Sequence, residues 1–271
     1  MNDFKDKVVV ITGASSGIGK ALAYSFASEG SRLVIAARNL DRLQEIEKEI
    51  KVFNKNILSV KCDVSDESDC SNLIKATVEK FGTVNILVCN AGISMRALFE
   101  TVELDVLRKL MNTNFWGTVY SSKYALPYLI QNKGSLVGIS SIAGKKGLPG
   151  RTGYSSSKFA MEGFLETLRM ENLKKGLHVL IACPNFTASE IRTKALLADG
   201  SEQGVSPRVE KNLMPAAKVA EIILKAIRKR KRDIILTPLG KLTVWVNYVF
   251  PSLVDKIIYW QMAKEPDSPF K

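Results

Sequence analysis

The chain has 271 residues, enough for one large α/β domain with a full core. Its 46% hydrophobic content is ordinary for a soluble globule. Lysine plus arginine outnumber the acids 39 to 27, a net charge of +12; this favours acidic ligands, anionic lipid or nucleic acid as partners and carries no information about fold.

The opening M-N-D-F-K-D-K-V-V-V-I-T lacks the apolar core and small-residue cleavage site of a signal peptide, so a cytoplasmic location is expected. Lys7–Thr12 reads as a strand and Gly17–Glu29 as an amphipathic helix, joined by T-G-A-S-S-G-I-G. Gly13, Gly17 and Gly19 let that backbone turn tightly and approach a pyrophosphate. Ser15, Ser16 and Ile18 lie at a helix N-terminus whose dipole and free N–H groups attract one. A strand at Ser31–Ala37 ends in Arg38 and Asn39, where an NAD-preferring site has an acid. A guanidinium suits a 2′-phosphate, so NADP(H) is expected; the alternative is that Arg38 is a solvent-exposed loop charge.

Asp41–Phe53 is a predicted helix, Ile57–Cys62 a strand, and Asp63 and Val64 follow where adenine would lie. Glu67–Phe81 is helical, and Val84–Cys89 is a strand ending in Asn90, Ala91 and Gly92, small enough for a cofactor to lie close. Glu103–Asn112 and Phe115–Ile130 read as two helices with Asn114 between them, in a non-ideal turn that points its amide inward. Strand–helix alternation through residue 183 predicts a Rossmann-type doubly wound parallel sheet in a single α/β domain. The cysteines form no C-x-x-C spacing; Cys62, Cys89 and Cys183 fall in apolar runs and read as reduced core residues. His178, in the strand His178–Cys183, reads as core and cannot build a zinc site with these cysteines.

Gly134–Arg169 carries the chemistry-bearing residues. A buried strand ends in Ser140 and Ser141, and a Gly/Pro-rich bend leads to a helix opened by Tyr154 and Lys158. Phe159, Phe164, Leu165 and Leu168 are expected on one side of it. At i and i+4 the phenol and the amine share a face, roughly 6 Å apart along the axis. A phenol has a pKa near ~10, and a fixed ammonium favours phenolate, which would make Tyr154 a usable general acid/base with Ser141 holding the same substrate oxygen. Taken alone, Tyr-x-x-x-Lys reads first as a plain helix surface, and only the rest of the chain favours the site.

Residues 184–215 are Gly- and Pro-punctuated, as expected of a substrate lid, with Phe186, Leu196, Leu197, Val205 and Leu213 as its apolar inner face or as ordinary packing. Residues 216–271 form a C-terminal extension: a helix at Ala216–Arg228, the basic run K-A-I-R-K-R-K-R, a strand at Asp233–Thr237, and an apolar, aromatic tail at Leu242–Trp260. Pro251, Asn247, Asp255 and Lys256 interrupt the tail and argue against a membrane span. Either it covers the pocket of its own or a neighbouring subunit, or it makes peripheral contact with an anionic membrane. Nucleic-acid binding is disfavoured, because no recognition motif accompanies the basic run.

From residue 7 to about 236 the chain resembles the short-chain dehydrogenase/reductase family. The matching residues are T-G-A-S-S-G-I-G, Asp63, N-A-G (Asn90–Gly92), Asn114, Ser141 and Y-S-S-S-K (Tyr154–Lys158), with Ser141 and Tyr154 thirteen apart. The resemblance implies that Tyr154 is the acid/base, that Ser141 binds the substrate oxygen, and that Lys158 binds the nicotinamide ribose and lowers the phenol's pKa. Asn114 would hold a water on a proton path, and Pro184 and Thr187 would sit beside the carboxamide. Asn185 and Ser189 depart from the family's glycine and threonine. A homodimer or homotetramer is implied, together with NADP(H)-dependent ketone/alcohol interconversion. I-A-G-K-K-G-L-P-G-R-T-G-Y-S-S-S-K-F-A is similar to members acting on hydroxysteroids and on 3-ketodihydrosphingosine, so a hydrophobic substrate is expected. The rival class is a non-catalytic NADP(H) sensor or scaffold, against which the intact Asn114, Ser141, Tyr154 and Lys158 argue.

Overall fold

The computed structural model describes residues 3–184, 187, 190–206, 213–266 and 268–270. Seven strands, β1 (Val8–Thr12), β2 (Arg32–Ala37), β3 (Ile57–Lys61), β4 (Ile86–Cys89), β5 (Ser135–Ile139), β6 (His178–Cys183) and β7 (Asp233–Ile235), form one sheet in the order β3-β2-β1-β4-β5-β6-β7. Every pairing is parallel. All five residues of β1, V-V-V-I-T, are buried, as a strand covered on both faces requires. Side chains alternate along it: Val9 and Ile11 join one core layer, and Val10 joins the other.

The first layer is closed by helices α1 (Gly17–Ser28), α2 (Leu40–Lys51) and α7 (Ala216–Arg228). The second is closed by α3 (Glu67–Phe81), α5 (Gly117–Gln131) and α6 (Thr152–Glu171). Phe26 of α1 and Leu43 of α2 are fully buried on the first side, as Leu73 of α3 and Leu165 of α6 are on the second. Strand order reverses between β1 and β4, so the loops after those two strands part and leave a crevice at the sheet's carboxyl edge, where ligands of such folds bind.

Several expectations change. Residues 103–130 are not two helices but one run, α4 (Leu104–Leu110) continuing through a π-helical turn (Met111–Trp116) into α5. Phe159 does not share the buried side of α6; it is exposed, while Leu165 and Leu168 are buried. The strand expected to reach Thr237 stops at Ile235, and Thr237 instead caps α8 (Pro238–Val249), its Oγ1 accepting from Gly240 N at 3.1 Å. The apolar tail is a helical hairpin, α8 followed directly by α9 (Pro251–Ala263), divided at Pro251. The basic run does not stand beside it. Arg230 donates to the carbonyls of Lys133 and Gly176, and Lys231 O lies 2.8 Å from His178 Nε2, all at the amino ends of β5 and β6; the hairpin follows the carboxyl end of β7.

His178 and all four cysteines are buried. The imidazole is held between Ser135 Oγ at 2.9 Å and Lys231 O, and burial pushes its pKa down.

Candidate active site

The site is a cavity of about 960 Å³ over the β1/β4 crevice. Gly13 begins its floor with φ +64°, and a Cβ there would stand 2.7 Å from Ala91 Cα, so only glycine fits between the two loops. Thr12 and Asn90 lock these loops together. Thr12 Oγ1 accepts from the N–H groups of Asn90 and Ala91, while Asn90 Nδ2 donates to the carbonyls of Thr12 and Gly13. Ser16 is the N-cap of α1 yet makes no side-chain cap bond, which leaves the first-turn N–H groups facing the cavity.

Gly13, Ser15, Ser16, Gly17, Ile18, Arg38, Asn39, Asp63, Val64, Asn90, Ala91 and Gly92 all line this half, and Ser141, Tyr154, Lys158, Pro184 and Thr187 line the other. Two residues expected in the site do not reach the cavity. Gly19 packs against the loop, where a Cβ would stand 2.3 Å from Gly13 O. Asn114 is fully buried, and its amide bonds to protein: Oδ1 accepts from Ile93 N at 2.8 Å, and Nδ2 donates to Ile93 O and Ser157 Oγ. It clamps the segment after β4 to α6 with both of its N–H donors, while Oδ1 keeps one lone pair. Asn185, Phe186 and Ser189 lie outside the described residues.

Ser141 ends the β5 segment in extended conformation, and its Oγ accepts from Ala143 N at 3.2 Å. Its hydroxyl is within hydrogen-bonding reach of the Tyr154 phenol. Lys158 lies one turn along α6 from Tyr154, 5.9 Å from the ring centroid, and donates to Ile139 O at 2.8 Å. Burial pushes the phenol's pKa up, with Ser141 and Arg151 acting in the opposite sense. Burial also holds the lysine down to about 8. The expected lowering of the phenol by Lys158 is thus not what the protein groups alone produce. The ammonium is desolvated as severely as the phenol, and a backbone carbonyl takes its hydrogen bond.

Glu162 was not singled out from sequence. It stands one turn beyond Lys158, accepts from Ser140 Oγ at 2.5 Å, and pairs with Lys145 Nζ at 2.7 Å. This buried carboxylate ties both sides of the β5–α6 connection, the segment that carries Ser141. Its i+4 spacing from Lys158 was the available signal. Arg42 was also missed; it reaches across the cavity's edge to Glu190 at 3.2 Å.

The cavity is lined by the expected lid, through Thr187, Ile191, Ala195, Leu196 and Glu202 among others, and also by the hairpin. Leu239 and Thr243 of α8, and Ile258 and Met262 of α9, line it with Leu148 and Leu196. Of the described lid residues expected to face inward, Leu196 does, Leu197 and Leu213 do not line the cavity, and Val205 is exposed. Arg96 and Glu265, both buried and 3.7 Å apart, tie the chain after α9 to the segment after β4. Arg96 also donates to Pro266 O at 2.6 Å.

The donor set fits a nicotinamide dinucleotide. Glycine-shaped space and a helix N-terminus without a side-chain cap would suit a pyrophosphate, and Arg38, Asn39 and Arg42 line the same cavity. The family pattern described as short chain dehydrogenase matches residues 7–199. "Dehydrogenase/reductase SDR family member 7B" of Danio rerio is 34% identical, covering 97% of this chain and 88% of that one. "11-beta-hydroxysteroid dehydrogenase-like 4A" of Arabidopsis thaliana is 35% identical, covering 92% and 82%. Among solved structures, a short chain dehydrogenase/reductase from Burkholderia phymatum in complex with NAD superposes with a TM-score of 0.82 at 25% identity, covering 93% and 96%. An alcohol dehydrogenase from Thermococcus sibiricus complexed with 5-hydroxy-NADP gives 0.77 at 25% identity, covering 86% and 96%. With its parallel sheet, its crevice and these relatives, the chain belongs to the short-chain dehydrogenase/reductase family of oxidoreductases.

Proposed function

We propose that the protein is an NADP(H)-dependent oxidoreductase that interconverts a hydrophobic, lipid- or steroid-like ketone and its secondary alcohol. The observation that carries this reading is the convergence of Ser141, Tyr154 and Lys158 on one wall of a cavity whose far end is apolar. The dinucleotide, when bound, supplies or accepts the hydride.

Ser141 and Tyr154 would hold the substrate oxygen between two hydroxyls, which stabilises the charge that develops there. With its pKa raised by burial, Tyr154 holds its proton at neutral pH and is suited to donate it to a nascent alkoxide. Lys158, drawn down to about 8, can take up and release a proton near neutrality and would restore the phenol after each turnover. Asn114 positions the segment after β4 against α6 through Ile93 and Ser157, and its remaining Oδ1 lone pair would serve the expected water. Arg38, with Arg42 beside it, supports NADP(H) over NAD(H) through the charge it offers a 2′-phosphate. Pro184 and Thr187 would adjoin the carboxamide. Leu148, Leu196, Leu239, Ile258 and Met262 support an apolar substrate. Four buried free cysteines suit a reducing compartment such as the cytoplasm, and a homo-oligomer accords with a family whose members are often oligomeric.

The test is dinucleotide oxidation across a panel of hydrophobic ketones with wild type and Tyr154→Phe. We expect kcat/KM to be higher with NADPH than with NADH, and the variant's kcat to fall by about 10²–10⁴-fold with NADPH affinity unchanged. Wild-type turnover in the variant would remove Tyr154 as the acid.

A further inference from the structure

The outer face of the α8–α9 hairpin gathers more than half of the exposed large apolar side chains of the described surface. Leu242, Trp245 and Tyr248 recur at i, i+3 and i+6 on α8, and Leu253, Ile257 and Trp260 recur at i, i+4 and i+7 on α9. Trp245 is 64% exposed, Tyr248 81% and Trp260 70%. The inner face is different in kind: Gly240, Val254 and Ile258 are buried against the body, and Thr243 and Met262 line the cavity. Exposed aromatic and aliphatic side chains in this number mark a surface with a partner.

We propose that this face docks on an anionic phospholipid surface, with the hairpin lying in the plane of the headgroups. Charge identifies the occupant. Lys241 stands one residue before Leu242 and one turn before Trp245, and Lys256 and Lys264 flank Ile257 and Trp260, so the cations share the apolar stripes. Their stems can lie among the aromatics while the ammoniums reach phosphate or carboxylate. Asp255 is the one acid between residues 238 and 264, and it is engaged by Lys146 at 2.5 Å. Tryptophan and tyrosine are the side chains that settle where acyl chains meet headgroups.

Length argues for lying on the bilayer rather than crossing it. At 12 and 13 residues the two helices are roughly 18–20 Å long against a hydrocarbon core of about 30 Å. No described helix is long and apolar enough to cross a membrane. A second copy is a poorer occupant, because isologous pairing would bring the three lysines of both copies into one contact with Asp255 as the one acid between residues 238 and 264. Docking also has a use. Leu239 lines the cavity and is 58% exposed, so the rim of the substrate end runs along the docking face, and an apolar ketone dissolved in lipid could enter without crossing water.

The experiment is co-sedimentation of the full chain with phosphatidylcholine vesicles, with or without about one-third phosphatidylserine. Three proteins are compared: wild type, W245E/W260E and K241E/K256E/K264E. Circular dichroism and dinucleotide binding serve as controls for folding. Wild type should pellet with the phosphatidylserine vesicles and shift its tryptophan emission to the blue. The aromatic variant should bind at least 10-fold more weakly at any salt, and the lysine variant at least 10-fold more weakly at low salt. Equal pelleting by all three overturns the proposal, as does wild type left in the supernatant. If sedimentation velocity without lipid shows that W245E/W260E breaks an oligomer while vesicle binding is absent, the face is a contact between copies and the proposal fails.

Discussion

Tyr154 and Lys158 could be placed together from sequence because i and i+4 on a helix share a face whatever surrounds them. Their acidities could not be read the same way. Desolvation depends on what closes over the pair, and those residues come from the segment after β4 and α4, against which Tyr154 packs, and from the strand under Lys158. The lysine offers a direct check. Its pKa of about 8 in the folded chain lies well below the ~10.4 of an unfolded lysine. Between these values the unfolded state binds more protons at this site, so its contribution to stability rises with pH. Below about pH 8 both states are charged and the burial cost is felt in full; above about 10.4 both are neutral and the cost is gone. Relative to Lys158→Met, wild type should gain on the order of 2–3 kcal/mol between pH 7 and 10.5, at 1.36 kcal/mol per pH unit. Denaturant titrations of both proteins across that range will show the gap narrowing or reversing; a pH-independent gap contradicts it. Glu162 escaped the sequence reading for the same reason as the acidities: a carboxylate one turn from Lys158 looks like an ordinary exposed helix charge until the β5–α6 connection folds over it.

Among elements, the strands were legible because β-branched runs covered on both faces, such as V-V-V-I-T, have few other solutions. The π turn was not. M-N-T-N-F-W contains no glycine or proline to mark a change of pitch, and the apolar period continues on either side. The turn inserts one residue into the helix and swings Asn114 inward, where its amide satisfies both backbone groups of Ile93. Asn114→Ala leaves those groups and one partner of Ser157 without a side chain to bond, in a place water does not reach. We expect a loss of about 2–3 kcal/mol in chemical denaturation, with a larger relative loss in kcat than in dinucleotide affinity. An unchanged midpoint would mean that the helix closes to regular pitch without penalty. The tail was half legible: Pro251 announced the break, but side chains apolar on all sides hid which of them face the cavity.

At the scale of the whole molecule, the sheet supplies the crevice and the carboxyl-terminal hairpin supplies part of the cavity wall proposed to meet substrate. Sequence reasoning offered both the lid and a tail folded over the pocket; the lid contributes Ile191, Ala195 and Leu196 to the apolar lining, and α8 and α9 contribute Leu239, Ile258 and Met262. The two halves can therefore be perturbed separately. Met262→Arg places a charge in the apolar wall, far from the glycine loop, and should raise KM for a hydrophobic ketone at least 10-fold while NADPH affinity stays constant. Steady-state kinetics with a dinucleotide titration decide it, and an unchanged KM would place the substrate elsewhere.

The hairpin is a pair of helices whose inner side lines the cavity and whose outer side is open. Whatever steadies the outer side alters the inner, and thermodynamic linkage makes that influence mutual: an anionic surface that tightens ketone binding by some factor must itself be held tighter by the same factor when the ketone is bound. A loaded molecule would then linger where its substrate is dissolved, and an empty one would leave sooner.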